Sequence, residues 1–245
     1  TLMLAAEAAA AGNGEITLRD FTFHQFIGDE KKSDVSARGH FNPEDGVASL
    51  KLAVNPLSPD IIRLASIYFT GIDPGSARLF YKWGARWNSK GTVIAKGNLK
   101  LFRTGPLTAA GEKFAVPEWD FKLIHDFTVN YLRRDAVIRA FSAGFSDHGR
   151  ETIGIGLDRG PLTVNLNAPR HSVFGGSSPE WTFYVNELNL SAFNPLLAKW
   201  FIRFGTDSIA DVRIKGKPAP RRGGFDIAAA VRGDRFFMRI DDEDL

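Results

Sequence analysis

An alternation of apolar and polar residues with a period of two is the pattern that most constrains this chain of 245 residues. In the clearest segment, residues 77–87, the apolar side chains of Leu79, Tyr81 and Trp83 alternate with Arg78 and Lys82 among others. Successive side chains of a β-strand point to opposite faces of the sheet. The pattern therefore predicts strands with one apolar and one mostly polar face, which is typical of antiparallel sheets.

The same alternation recurs along the whole chain, in short segments separated by Gly, Pro, Asn and Asp. The further segments are 48–54, 93–101, 119–123, 127–131, 153–157, 162–166, 181–185, 210–214 and 225–231. Turn clusters such as Asp73-Pro74-Gly75 and Asn88-Ser89-Lys90-Gly91 join neighbouring segments. The predicted fold class is mainly β, an elongated and curved antiparallel sheet forming a groove, with two short helices.

Two segments break the strand pattern and predict the helices. Ser58-Pro59-Asp60 combines a capping residue, a proline at the first helical position and an acid in the first turn, which predicts a helix near 58–69. Asn194-Pro195 repeats this start and predicts a second helix near 194–204, ending before Gly205.

The two predicted helices indicate an internal duplication. Leu57-Ser58 matches Leu190-Ser191 at an offset of 133 residues (190 minus 57), and the register continues into the strands that follow. We therefore predict a first β-repeat over 1–112 and a second over 113–245, compatible with one continuous sheet.

A sheet of this kind raises a problem of coverage. About twelve strands side by side are roughly 60 Å wide, whereas each helix is only about 16 Å long. A bare apolar face of that size is not tolerated in water. The sheet can close into a sandwich or barrel with a dry core, or curl into a groove that holds acyl chains, and the alternation leaves both open. A transmembrane barrel is disfavoured, because two Pro-capped helices interrupt the strands.

Composition and charge narrow the function classes. The chain has no cysteine, which excludes disulfides and thiolate metal sites. The formal net charge of +3 is scattered, with basic doublets only at Lys31-Lys32, Arg133-Arg134 and Arg221-Arg222. Without a basic stripe interleaved with aromatic residues, nucleic acid is not an expected partner. The mildly basic surface is compatible with anionic lipid headgroups.

The search for catalytic chemistry finds no convincing centre. The five histidines do not follow the spacing of metal ligands; they are His24, His40, His125, His148 and His171. Glu118 and Asp120 share a face and resemble a glycosidase pair, but the alternation places them on the polar face, opposite Trp119. We expect no catalytic residue, no metal site and no cofactor.

Three segments carry a resemblance to a known family. They are Glu187-Leu188-Asn189-Leu190-Ser191-Ala192-Phe193-Asn194-Pro195-Leu196-Leu197, Gly14-Glu15-Ile16-Thr17-Leu18-Arg19-Asp20-Phe21 and Gly97-Asn98-Leu99-Lys100-Leu101. The first resembles the strand-to-helix passage of AsmA-like proteins, the AsmA/TamB/YhdP group. The second resembles that family's recurring strand entry, and the third resembles its small-residue strand pattern.

The resemblance implies a non-enzymatic, bridge-like lipid carrier of the bacterial cell envelope. Its partners would be phospholipid or another acyl lipid, and the inner and outer membranes through parts outside this chain. It implies a periplasmic location, with a membrane anchor in the full-length protein that this sequence lacks. The alternative is a structural or protein-interaction β-sandwich module of the periplasm.

The candidate lipid-binding residues are the apolar members of four alternating segments. They are Leu79, Tyr81, Trp83, Val93, Leu99, Leu101, Val212, Ile214, Ile227 and Val231. The aromatic stripe of Tyr81, Trp83 and Trp87 fits a lipid groove or stacking against sugars, but cross-strand packing in a core is the favoured interpretation.

Overall fold

The chain forms one large open antiparallel sheet, which confirms the predicted fold class of a mainly β, curved sheet. The structure is a computed structural model. It describes residues 1–70, 72–73, 75–102, 107–109, 112–114, 119–147, 149–165, 167, 179–194, 202–206, 208–219, 224–234 and 238–240.

The described strands are numbered in chain order. They are β1 Leu2–Ala10, β2 Ile16–Ile27, β3 Glu30–Asn42, β4 Val47–Leu57, β5 Ile72–Asp73, β6 Arg78–Trp87, β7 Thr92–Phe102, β8 Leu107–Ala109, β9 Glu112–Phe114, β10 Asp120–Asn130, β11 Asp135–Asp147, β12 Arg150–Arg159, β13 Leu162–Asn165, β14 Glu180–Asn189, β15 Ile202–Phe204, β16 Ile209–Ala219, β17 Gly224–Asp234 and β18 Met238–Ile240. One α-helix, α1, spans Pro59–Thr70.

Thirteen strands form the large sheet. Its hydrogen-bonded order is β1-β2-β3-β4-β6-β7-β10-β11-β12-β14-β16-β17, and β13 pairs with β11 beside this path. In the described part, β1 and β17 are edge strands with one partner each, so the sheet is open. β5, β8 and β9 form a small sheet, and β15 pairs with β18 in another. Pairing of β7 with β10 makes residues before and after 112 one continuous sheet.

Register shifts interrupt the ladders at several places and mark β-bulges, which bend a strand and increase its twist. Two of them matter for the site: one between Val54 and Leu57 in β4, and one between Val185 and Leu188 in β14. Adjacent strands are already rotated by about 20° each, so twelve strands turn by roughly half a circle or more.

Helix α1 begins where its sequence predicts. Pro59 occupies the first turn together with Asp60, and the Ile62 N–H donates to the Ser58 carbonyl at 3.1 Å. The Ser58 hydroxyl donates to Gln25 Oε1 at 2.5 Å, and the Ser58 N–H donates to Ser33 Oγ at 2.8 Å. The helix is therefore tied to β2 and β3 by polar groups.

The prediction of a second helix near 194–204 is wrong at its C-terminal end. The chain forms a 3-10 helix over Leu190–Phe193, and Ile202–Phe204 is a strand. Asn194 explains this, because its side chain donates to the Phe204 carbonyl at 2.8 Å and accepts from the Phe204 N–H at 2.7 Å. This pairing of a side-chain amide with the main chain of Phe204 favours the extended conformation of Ile202–Phe204 over a helix. Residues 195–201 lie outside the described part.

The two predicted repeats have a matching element in the sheet. Strand β4, the segment of α1 and strand β6 correspond to β14, the 3-10 segment and β16. In each pair the ladder shifts by one residue, after Val54↔Tyr81 in the first and after Val185↔Val212 in the second. The structural offset is 131 residues (185 minus 54), two fewer than the offset that the sequence suggests. Ala77 and Ser208, at equal places before the second strand, are both fully buried.

Candidate functional site

The two faces of the sheet differ sharply in chemistry. One row of cross-strand neighbours takes one residue from each of the twelve strands on the path, and every member is apolar or aromatic. We call it the apolar row: Leu4, Phe23, Val35, Val54, Tyr81, Leu99, Leu123, Ala143, Ile155, Phe183, Ile214 and Ala229. Eleven spacings of about 4.8 Å make it roughly 50 Å long. We call the side of the sheet that carries this row the apolar face.

All ten predicted lipid-binding residues lie on the apolar face, by their register. Six of them form a patch on β6 and β7, where Leu79 pairs with Leu101 and Tyr81 with Leu99. Four form a second patch on β16 and β17, where Val212 pairs with Val231. The structure does not bring the two patches together, because β10, β11, β12 and β14 lie between them.

Exposure varies along the apolar face and is highest on the edge strands. Val54 and Val185 are 8% exposed, whereas Ile155 is 39%, Ile227 63% and Val231 74% exposed. Val185 packs with Trp119, whereas Ile155 on the neighbouring strand β12 is more exposed. Side chains at the edge strands are open to water, which is costly for apolar surface.

Little else covers this face. In the described part of the chain, each strand of the large sheet contacts mainly its hydrogen-bonded neighbours, and α1 contacts β5 and β6. Trp119 is the exception, because its ring packs with Val185 and Leu188 in the main buried cluster. Its ring centre also lies 6.2 Å from that of Phe145. Trp119 thereby covers the part of the apolar face around Val185 and Leu188.

A polar pair interrupts the apolar face near its centre. His125 Nε2 lies 3.4 Å from the Tyr81 hydroxyl, and burial raises the pKa of Tyr81. His125 Nδ1 is buried and has no hydrogen-bond partner among the described residues. The pair therefore places two polar atoms among the apolar side chains that the sequence predicts to hold lipid.

Aromatic rings pack closely against two glycines on this face, Gly97 and Gly216. A Cβ added at Gly97 would come within 2.5 Å of His125 Nε2 and 3.2 Å of Trp83 Cδ1. A Cβ at Gly216 would come within 2.2 Å of the Trp181 ring. A larger residue at either position would displace these rings.

Sequence reasoning missed part of the apolar face. Strand β11 was not predicted, although Phe141 and Phe145 lie on this face and are 36% and 38% exposed. Its Ala, Ser and Gly residues weaken the alternation. The sequence pattern does not single out His125 as a residue of this face, although its position between Leu123 and Phe127 on the strand is the signal that could place it there.

The described residues contain neither a metal cluster nor a membrane-spanning helix. Among them, no group of three or more His, Asp or Glu side chains is arranged to hold a metal ion. No helix in the described ranges is both long and apolar enough to cross a membrane. Glu118, one half of the glycosidase-like pair, lies outside the described residues.

No protein-family model, curated protein or solved structure matches this chain. The similarity to AsmA-like proteins accordingly remains a prediction from the three segments quoted above.

Proposed function

We propose that this chain is a non-enzymatic lipid-binding segment that holds acyl chains on the apolar face of its sheet. The observation that carries the proposal is the apolar row, in which every one of the twelve strands contributes an aliphatic or aromatic side chain. In a sheet with one apolar and one polar face, the apolar face is normally covered by other apolar groups and the polar face is in water. In the described part no second layer of the protein supplies it.

The energetics suit a lipid tail. Burial contributes about 0.8 kcal/mol per CH₂ group, so a long acyl chain gains on the order of 10 kcal/mol before the loss of its own freedom is subtracted. Such binding needs continuous apolar surface and no reactive group. A row roughly 50 Å long supplies that surface across the whole sheet.

The proposal extends to the setting that the AsmA-like resemblance implies: transfer of phospholipid or another acyl lipid in the bacterial envelope, from a periplasmic position. The polar pair of Tyr81 and His125 then provides a place on the apolar face for an ester or headgroup oxygen.

A structural or interaction module is the second candidate, and the edge strands favour it. Strand β1 is exposed along nearly all of its length, including Leu2 at 67% and Leu4 at 69%. An edge strand with unpaired backbone groups and apolar side chains is a template for another strand. In this function the apolar face would be covered by protein.

Native mass spectrometry of the detergent-free protein, followed by lipid extraction, separates the two candidates. Stoichiometric phospholipid supports lipid binding. A lipid-free monomer or a lipid-free assembly supports the interaction module.

Strand β17 offers a matched pair of variants for the same measurement. Ile227→Asp with Val231→Asp places two charges on the apolar face, whereas Ala228→Asp with Ala230→Asp places them on the opposite face of the same exposed strand. Lipid binding predicts that only the first double variant lowers the lipid content. Equal lipid content in both would contradict the assignment of this face.

A further inference from the structure

A cavity of about 760 Å³ lies on the polar face, on the side of the sheet opposite the apolar row. It is a trough across β3, β4, β6, β7 and β10, between two rows of cross-strand neighbours. Its floor is the main chain of the row that contains Leu52 and Trp83, whose side chains point to the apolar face. The proposed lipid function does not use this trough.

The walls of the trough carry four cations. Lys51 and Lys96 are the cross-strand neighbours of Gly84, one on each side, and Lys82 lies two residues from Gly84 on the same strand and face. Sheet geometry puts Lys51 and Lys96 about 9–10 Å apart and Lys82 about 7–8 Å from each at the backbone. Arg38 lies directly opposite Lys51 on β3. Three lysines thus surround a position that has no side chain.

Carboxylates of the described residues compensate only part of this charge. Arg38 lies 3.4 Å from Asp20, and Lys96 lies 3.7 Å from Asp126. Lys51 and Lys82 have no acidic partner within 4 Å among the described residues. Like charges directly opposite each other on paired strands are destabilising, so the pair of Arg38 and Lys51 favours a bound anion.

Polar and small groups complete the trough. Asn98 neighbours Lys82 on β7 and offers an amide, and Ser36 offers a hydroxyl on β3. A Cβ added at Gly84 would lie 3.8 Å from the Leu50 carbonyl oxygen and 3.9 Å from Lys51 Cγ, which is ordinary contact. The fold therefore does not need glycine here, and Gly84 leaves the space between the lysines open.

We propose that this trough is an anion-binding site for a phosphate-bearing ligand, held by Lys51, Lys82 and Lys96 around Gly84 with Arg38 beside them. Lysine ammonium groups bind phosphate as mobile point charges with three donors each, and several of them can converge on one phosphoryl group. The two faces of the sheet then bind different chemistry: apolar chains on one and anionic groups on the other.

The test uses the whole chain and two probes. Inorganic pyrophosphate is titrated by calorimetry, and vesicles of phosphatidylcholine with and without phosphatidylglycerol are tested by flotation. Pyrophosphate binding that phosphatidylglycerol vesicles fail to reproduce identifies a soluble phosphate ligand. Selective flotation with phosphatidylglycerol identifies a lipid headgroup as the source, provided that pyrophosphate competes for it.

Two variants distinguish a built site from general attraction to a basic surface. Lys51→Glu with Lys82→Glu should weaken the binding by about tenfold or more, whereas Lys215→Glu, on the same face but on β16, should leave it within about twofold. Gly84→Leu keeps every charge and fills the space between the lysines, and it should weaken the binding as strongly.

The outcomes are decisive in both directions. Equal loss from the Lys215 and the Lys51/Lys82 variants, or full binding by Gly84→Leu, would overturn the site in favour of diffuse electrostatics. Absence of binding to both probes would overturn it outright. Circular dichroism of each variant verifies that it is folded. Lipid extraction of the same variants tests the proposed lipid function separately, because none of these side chains lies on the apolar face.

Discussion

The bulge after Val54 and the bulge after Val185 occupy equal places in the two halves of the sheet, yet they satisfy the backbone differently. In β4 the bulge contains Pro56, which has no N–H to satisfy. In β14 the equivalent residue is Glu187, whose N–H donates to Asp211 Oδ1 at 2.6 Å. Two sequences thus solve the same problem of an extra residue that leaves the ladder.

The connections after the bulges also differ. The first leads into α1, anchored by buried Ser58 and Ser33 on Gln25. The second leads into a 3-10 helix, where Asn189 Oδ1 accepts from the Ser191 N–H. The comparison teaches that the bulge belongs to the sheet architecture, whereas the element that follows depends on local capping chemistry.

The largest effect that would sharpen this comparison is expected at Gln25. Gln25→Leu removes the acceptor of two buried hydroxyls, those of Ser33 and Ser58, and each buried group left unpaired costs about 1–3 kcal/mol. We expect urea denaturation to show a loss of about 3 kcal/mol in the free energy of unfolding. Hydrogen exchange should quicken in α1 and leave the Leu190 N–H protected. An equal increase of the hydrogen-exchange rate in α1 and at the Leu190 N–H would show that the two halves do not have separate anchors.

A substitution of Asp211 tests how the bulge in β14 satisfies the N–H of Glu187. Asp211→Ala leaves the Glu187 N–H at the bulge without its carboxylate, and because this hydrogen bond is exposed we expect a loss of about 1 kcal/mol in the free energy of unfolding, measured with urea. Asp211→Asn keeps an acceptor oxygen and should recover at least half of that loss. If the asparagine variant is as unstable as the alanine variant, the hydrogen bond is not what holds this bulge.

Glu187 itself has a positive φ of 44°, a conformation that costs a residue with a Cβ about 1 kcal/mol or more. Glu187→Gly should therefore stabilise the protein by up to about 1 kcal/mol, less whatever the exposed ion pair with Arg150 contributes. The stability change of Arg150→Ala alone measures what that ion pair contributes. Glu187→Pro should destabilise, because proline cannot adopt this φ, so the first half's solution is not transferable.

The smallest expected effect concerns Tyr184, on the polar face of β14. Burial raises its pKa to about 12, helped by the hydroxyl that donates to Glu151 Oε2 at 2.6 Å and by the nearby charges of Glu151 and Asp158. Because the folded pKa lies above the ordinary value of 10, this contribution is complete below pH 10 and is lost as the pH rises toward 12.

Ultraviolet titration of tyrosinate checks this. One tyrosine should ionise near pH 12, and Glu151→Gln should bring it closer to 10. Tyr81, whose pKa burial alone raises, should not respond to that variant. A uniform titration of all tyrosines would contradict the assignment.

Much of the fold could be predicted because the alternation of single residues carries it. The ten predicted site residues lie on one face, since the period of two assigns each side chain to a side as soon as the strand is recognised. The predicted helix near 58–69 was confirmed because its start depends on adjacent residues, Ser58, Pro59 and Asp60. Strand β11 was missed because Ala, Ser and Gly do not distinguish the two faces.

The residue pattern alone assigns each side chain to one side of its strand, places the start of α1 and excludes cysteine chemistry. Only the tertiary structure decided the order of strands, the segment at Ile202–Phe204 and the offset of 131 between the halves. A shift of two residues leaves every side chain on the same face, so the apolar pattern cannot distinguish 131 from 133. The hydrogen-bond ladder can, because the bulges after Val54 and Val185 fix one register.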